Sequence, residues 1–165
     1  MSILVLGVGN ILLTDEAIGV RVVEALEQRY RLPAHVEVLD GGTAGMELLE
    51  AMANRDHLII ADAVVSRKSE PGAVICLRDD EVPTLFSNKI SPHQLGLSDV
   101  LSALRFTGEF PKKLTLIGII PSSLEPHIGM TPLVAASLDT ALQAVLAALR
   151  ESGVEPVLRE TEHAG

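Results

Sequence analysis

The stretch Ile3-Leu4-Val5-Leu6-Gly7-Val8-Gly9-Asn10-Ile11-Leu12-Leu13-Thr14-Asp15-Glu16 decides the fold. Hydrophobicity runs unbroken from Ile3 to Leu6 instead of alternating, as in a strand covered on both faces. Gly7-Val8-Gly9-Asn10 then makes a strand-to-helix loop ahead of the amphipathic run from Ala17 to Tyr30. Such a loop brings backbone amides and a positive helix end close to a ligand. Here it leads into the carboxylates of Asp15 and Glu16, which suit a cation better than a phosphate. The third glycine of a dinucleotide fingerprint is missing, because Leu12 takes its place and Gly19 lies well inside the helix. Gly7, Gly9 and Asn10 are therefore expected to shape a loop that handles a metal.

Working outward, short apolar runs alternate with helical patterns. Strands are expected at Ile3 to Leu6, Val36 to Leu39, Leu58 to Ala61, Ala73 to Leu77 and Leu114 to Ile119. Helices are expected near Ala17 to Tyr30, Gly45 to Ala53, Gly96 to Arg105 and Pro132 to Glu151. This order predicts an α/β fold: a three-layer sandwich with a mostly parallel, five-stranded twisted sheet and helices on both faces. The Glu70-Pro71-Gly72 turn is expected to send the following strand antiparallel at one edge. No repeat or linker divides the chain, so residues 1–153 form one catalytic domain and 154–165 a flexible tail.

Composition sets the outer limits. A chain of 165 residues with 47% hydrophobic content makes a single domain that buries roughly 70% of its unfolded surface. Its core must be aliphatic, since it has three Phe, one Tyr and no Trp. A formal charge of -9 argues against nucleic acid and anionic membranes, which reward Lys and Arg clusters. The single Cys76 excludes an internal disulfide, and in mid-strand it reads as a small buried hydrophobe. The apolar start is too short for a leader, so a cytoplasmic protein is expected, and the lack of an obvious exposed apolar stripe makes a monomer the expectation.

Ligands of an open parallel sheet collect outside the carboxyl ends of its strands. The loops there carry Asn10, Asp15 and Glu16, then Asp40, Gly41, Gly42 and Thr43, then Asp62, and finally Pro121, Glu125 and His127. Asp62 ends a buried strand, where an idle charge would cost on the order of several kcal/mol, which favours a function. His93 falls near a helix start, a setting that keeps imidazole neutral and able to bind metal. Glu16, Asp62 and His93 together offer oxygen and nitrogen donors that suit a borderline ion such as nickel or zinc. His35, His57 and His163 sit in no motif and receive no role. No Gly-x-Ser-x-Gly elbow, His-Glu-x-x-His helix, Walker loop or paired-cysteine site is present, so ordinary hydrolase nucleophiles are not indicated.

Gly7-Val8-Gly9-Asn10 with Asp15-Glu16, Asp40-Gly41-Gly42-Thr43, Ile59-Ile60-Ala61-Asp62-Ala63 and Ser91-Pro92-His93-Gln94 together resemble the nickel-iron hydrogenase maturation endopeptidases. Ala17 departs from the glycine that many relatives carry after the acidic pair. The resemblance implies an endopeptidase that removes a C-terminal extension from the nickel-loaded precursor of the hydrogenase large subunit. It implies metal contact and catalysis at Glu16, Asp62 and His93, and substrate recognition at Asp40, Gly41, Gly42 and Thr43. The nickel would arrive with the precursor, and other divalent ions would substitute in crystals. Two other readings remain: a nickel-binding assembly chaperone that uses the same three ligands and cleaves nothing, and a nucleotide-binding oxidoreductase that would use Gly7 and Gly9 for the phosphates and Asp40 for a ribose hydroxyl. Leu12 and the acidic pair count against the second.

Overall fold

The computed structural model describes residues 1–42, 45–64, 69–79, 81–82 and 92–159, and for 92–96 the backbone alone. The first strand, β1 (Ile3–Gly7), is buried along its whole length. Its side chains alternate between two cores: Ile3 and Val5 enter one, Leu4 and Leu6 the other. That division explains the unbroken apolar run, since each face has its own layer of helices to meet.

After β1 come α1 (Ile18–Arg29), β2 (Tyr30–Arg31), β3 (Val36–Asp40), α2 (Leu49–Met52) and β4 (His57–Ala63). They are followed by β5 (Val74–Arg78), α3 (Pro92–Thr107), β6 (Leu114–Ile119), α4 (Pro132–Ala135), α5 (Leu138–Glu151) and β7 (Val157–Leu158). The main sheet has five strands in the order β3-β1-β4-β6-β5, all parallel except β5, which runs antiparallel to β6. Helices α1 and α5 bury Val22, Leu26, Leu142 and Leu146 against one face. Met52 of α2 and Leu97, Val100 and Leu104 of α3 cover the other. The expected three-layer fold with one antiparallel edge is therefore present.

The details depart from expectation in three places. The helix expected over Pro132 to Glu151 breaks between α4 and α5, where the Ser137 hydroxyl donates to the carbonyl of Gly72, outside its own helix. The segment expected as a helix from Gly45 to Ala53 starts as a 3-10 turn, Met46–Leu48, before α2. The chain after Gly153, expected to be flexible, is tied down as far as Arg159: Val154 is buried, β7 pairs antiparallel with β2, and the Arg159 N–H donates to Arg29 O at 2.8 Å. Residues 160–165 lie outside the described residues.

His57, given no role from sequence, is a fully buried link at the amino end of β4. Its Nδ1 is 2.6 Å from Ser152 Oγ and its Nε2 is 2.8 Å from Thr115 Oγ1, joining β4 and β6 to the residue that follows α5. Burial, reinforced by the charge of Lys113, lowers its pKa from 6.5 to about 4. Between those values the unfolded chain binds a proton that the folded protein does not. The stability tied to neutral His57 is thus intact above about pH 6.5 and is lost as pH falls through about 4. Urea unfolding at pH 5 and pH 7 should differ by about 2 kcal/mol from this residue, and the difference should shrink by that amount in His57→Gln. An unchanged difference in the variant would show that His57 is not the group titrating.

Candidate functional site

The strand order places the site. From β1 the chain moves outward to β3 and then returns across β1 to β4, which makes the carboxyl edge between β1 and β4 the switch point where such sheets bind ligands. Glu16 follows β1 and Asp62 lies within the end of β4, which puts both on this switch point.

Glu16 rides on a 3-10 turn, Thr14–Ala17, that packs against β4. It is buried, and its Oε1 accepts the Asn10 N–H at 3.2 Å. Asn10 in turn accepts the Leu12 N–H through Oδ1 at 2.9 Å, which is how it shapes the loop. Gly9 has φ 149°, and a Cβ there would stand 1.9 Å from the carbonyl oxygen of Glu16. Only glycine lets the acidic turn fold back this closely on the β1 loop. Asp62 is fully buried and pairs in register with Gly118 of β6. The Val8 N–H donates to Ala61 O at 3.0 Å, so the β1 loop is bonded to the strand one residue before Asp62.

Asp40 closes β3 opposite Gly7. Its Oδ1 accepts the Gly42 N–H at 2.8 Å, an Asx turn. The turn is fastened to the β1 loop by Gly41 N–H to Gly7 O at 2.8 Å and Gly9 N–H to Gly42 O at 2.7 Å. Gly42 adopts φ 58°, in the left-handed region that favours glycine. Thr43 lies outside the described residues.

His93 is the second residue of α3, and its side chain lies outside the described residues. Because α3 leads into the start of β6, its C-terminus lies at the amino edge of the sheet and its first turn at the carboxyl edge, with Glu16 and Asp62. Among the described residues no group of three His, Cys, Asp or Glu side chains stands ready to hold a metal ion. The structure thus brings Glu16 and Asp62 to one edge and adds the backbone of His93.

Two readings need correction. Cys76 is exposed, not buried: β5 is the edge strand of the sheet, paired on one side only. Partial desolvation still pushes its thiol pKa up, which makes it a poor nucleophile. Asp15, read with Glu16 as a cation-facing pair, has its carboxylate turned into the protein, where it accepts the N–H groups of Ser122 and Ser123 at 2.8 and 2.9 Å. Sequence inspection missed this role, since Asp15 looks like any helix-start carboxylate.

The comparisons with known proteins decide between the readings. A family model described as hydrogenase maturation protease matches residues 20–148. The chain belongs to the hydrogenase maturation protease family. The hydrogenase 2 maturation protease of Escherichia coli strain K12 is 77% identical over 163 residues, covering 99% of both chains. The hydrogenase expression/formation protein HupM of Azotobacter chroococcum is 45% identical over 96% of this chain and 77% of its own length. A solved structure described as the hydrogenase maturating endopeptidase HybD from Escherichia coli superposes with a TM-score of 0.94 at 78% identity, covering 96% of this chain and 98% of that one. A hydrogenase 2 maturation peptidase from a Thaumarchaeota archaeon is 33% identical, with a TM-score of 0.66 over 90% of this chain and 98% of its own. As a hydrogenase maturation endopeptidase, the protein is an enzyme, and the oxidoreductase and chaperone readings fall away. In this protease the glycines of the first loop serve close packing: Gly9 makes room for the Glu16 backbone.

Proposed function

We propose that this endopeptidase removes the C-terminal extension from the nickel-loaded precursor of a nickel-iron hydrogenase large subunit and uses the precursor's own nickel as its recognition element. The observation that carries the reading is the pair of buried carboxylates, Glu16 and Asp62, at the switch point of the sheet. Two carboxylates and the imidazole of His93 form a donor set matched to a borderline divalent ion, with positions left for substrate and water. In this reading they grip the nickel of the precursor and so hold the scissile peptide beside it. The substrate's metal then polarises the carbonyl or activates water, and proximity supplies much of the rate. The glycine turn at Gly41 and Gly42, stiffened by Asp40, meets the arriving backbone of the precursor. We further take the enzyme to act as a monomer in the cytoplasm.

The test is to incubate the purified protein with nickel-loaded and nickel-free precursor and to follow the mass of the large subunit. The mass should fall with the loaded precursor alone. Equal trimming of both forms would end the metal-recognition reading. An unchanged mass in both would refute the proposed substrate.

A further inference from the structure

The residues just ahead of Glu16 are bonded to a single neighbouring loop, the one between β6 and α4. The Thr14 N–H donates to His127 O at 2.9 Å, the Thr14 hydroxyl donates to Glu125 O, and the Asp15 N–H donates to Ser123 O at 3.1 Å. The His127 N–H donates back to Leu12 O at 2.9 Å. From the other side, the Asp15 carboxylate gathers the same loop. Its Oδ2 accepts from Ser122 N–H at 2.8 Å, from Ser123 N–H at 2.9 Å and from the Thr131 hydroxyl at 2.8 Å, while Oδ1 accepts from Thr131 N–H at 2.7 Å.

Two features show that this clasp does more than fill a space. Thr131 precedes Pro132, the first residue of α4, yet its hydroxyl does not cap that helix; it turns to Asp15. Thr14, a β-branched residue, is held at φ 47°, a conformation that such residues avoid unless their surroundings enforce it. The enforced turn is the one that carries Glu16, whose Oε1 is seated on the Asn10 N–H.

We propose that Asp15 is a positioning residue for cleavage: by fastening the 121–131 loop to the acidic turn, it holds Thr14 in its strained conformation and thereby fixes where Glu16 meets the substrate. Asp15, at 0% exposure, does not itself reach substrate. The inference rests on the reading of Glu16 as a donor to the precursor's nickel. With the clasp released, Thr14 relaxes to negative φ, and Glu16, two residues on, is carried away from Asp62.

The full chain with Asp15→Asn keeps the size of the side chain but sets an amide N–H₂ against the N–H donors of Ser122, Ser123 and Thr131. Assayed on nickel-loaded precursor at a temperature where melting shows the variant folded, kcat should fall about tenfold or more, and by more than KM rises. Thr131→Val removes one donor and should lower kcat less, and Thr131→Ser should restore it. A merely structural role would lower the melting temperature of these variants and leave kcat unchanged where they are folded, and that result would overturn the proposal. If Asp15→Asn does not fold, the Thr131 pair decides: loss in Val with recovery in Ser supports the clasp, and wild-type kcat in Val refutes it. Glu16→Gln, run in parallel, keeps the two levels apart. Normal trimming by Glu16→Gln refutes the underlying metal grip, whereas its failure beside a fully active Asp15→Asn refutes positioning alone.

Discussion

Asp62→Asn should all but stop processing of the nickel-loaded precursor while leaving the protein folded. Asn matches Asp in size, so the packing of β4 against β6 at Gly118 is kept. The position is fully buried, and an amide is less costly to bury than a carboxylate, so the melting temperature should hold or rise. Cleavage should respond in the opposite direction. Disturbing only the outer partners of a metal ligand costs about 10- to 100-fold, so loss of a direct donor should lower the rate on the order of 100-fold or more. His93→Ala should behave alike, since it removes a nitrogen donor from the first turn of α3. The measurement is the mass of the large subunit over time, with thermal melting as the folding control. Two folded variants that trim at the normal rate would refute the metal grip.

Gly19→Ala should act on the fold itself. A Cβ at Gly19 would stand 2.2 Å from Ala61 O and 2.4 Å from Val8 O, and both are backbone atoms that no rotamer change can move aside. Helix α1 must then lift from the sheet at the point where the Val8 N–H is bonded to Ala61 O. Overpacking of this kind costs about 1–3 kcal/mol and more where the neighbours cannot yield, so a loss of about 3 kcal/mol or more is expected in urea unfolding. Processing should fall as well, because Asp62 follows Ala61 and the Glu16 turn precedes Gly19. Gly108→Ala is the control: φ is 77° there with open space around the missing Cβ, and strain alone should cost about 1–2 kcal/mol without affecting cleavage. Similar losses in the two variants would remove close packing as the reason for Gly19.

These contrasts show which parts of the molecule were legible in the sequence. Continuous apolar runs such as Leu58 to Ala61 and Leu114 to Ile119 announce parallel strands, because hydrophobic periodicity records burial directly. The rule that ligands gather at the carboxyl edge then selects Glu16 and Asp62 without coordinates. The sequence pattern puts Gly19 well inside the helix, whereas it is the second residue of α1, at the point where helix and strand backbones touch. The clasp of Asp15 was invisible because its partners, Ser122, Ser123 and Thr131, lie more than a hundred residues away, and short-range patterns carry no record of such contacts. The exposure of Cys76 is not legible in the sequence, because the apolar pattern of Val74 to Leu77 does not tell an edge strand from a central one. The pairing of β7 with β2 was missed because it uses only Tyr30–Arg31 and Val157–Leu158, too short to leave a periodic signal.

That small pairing has a practical consequence. Helices α1 and α5 both run back toward the amino edge of the sheet, where Arg29 meets Arg159, Ser152 meets His57 and the Ser2 N–H donates to Asp56 at 2.6 Å. The two ends of the described chain therefore emerge on the side facing away from Glu16 and Asp62. A fluorophore or a surface linker attached near Ser2 or at Arg159 would leave the approach of a large folded protein to the opposite edge unobstructed. A circular permutant that links Arg159 to Ser2 and is opened in the exposed turn at Gly108 would keep every loop around the carboxylates uncut.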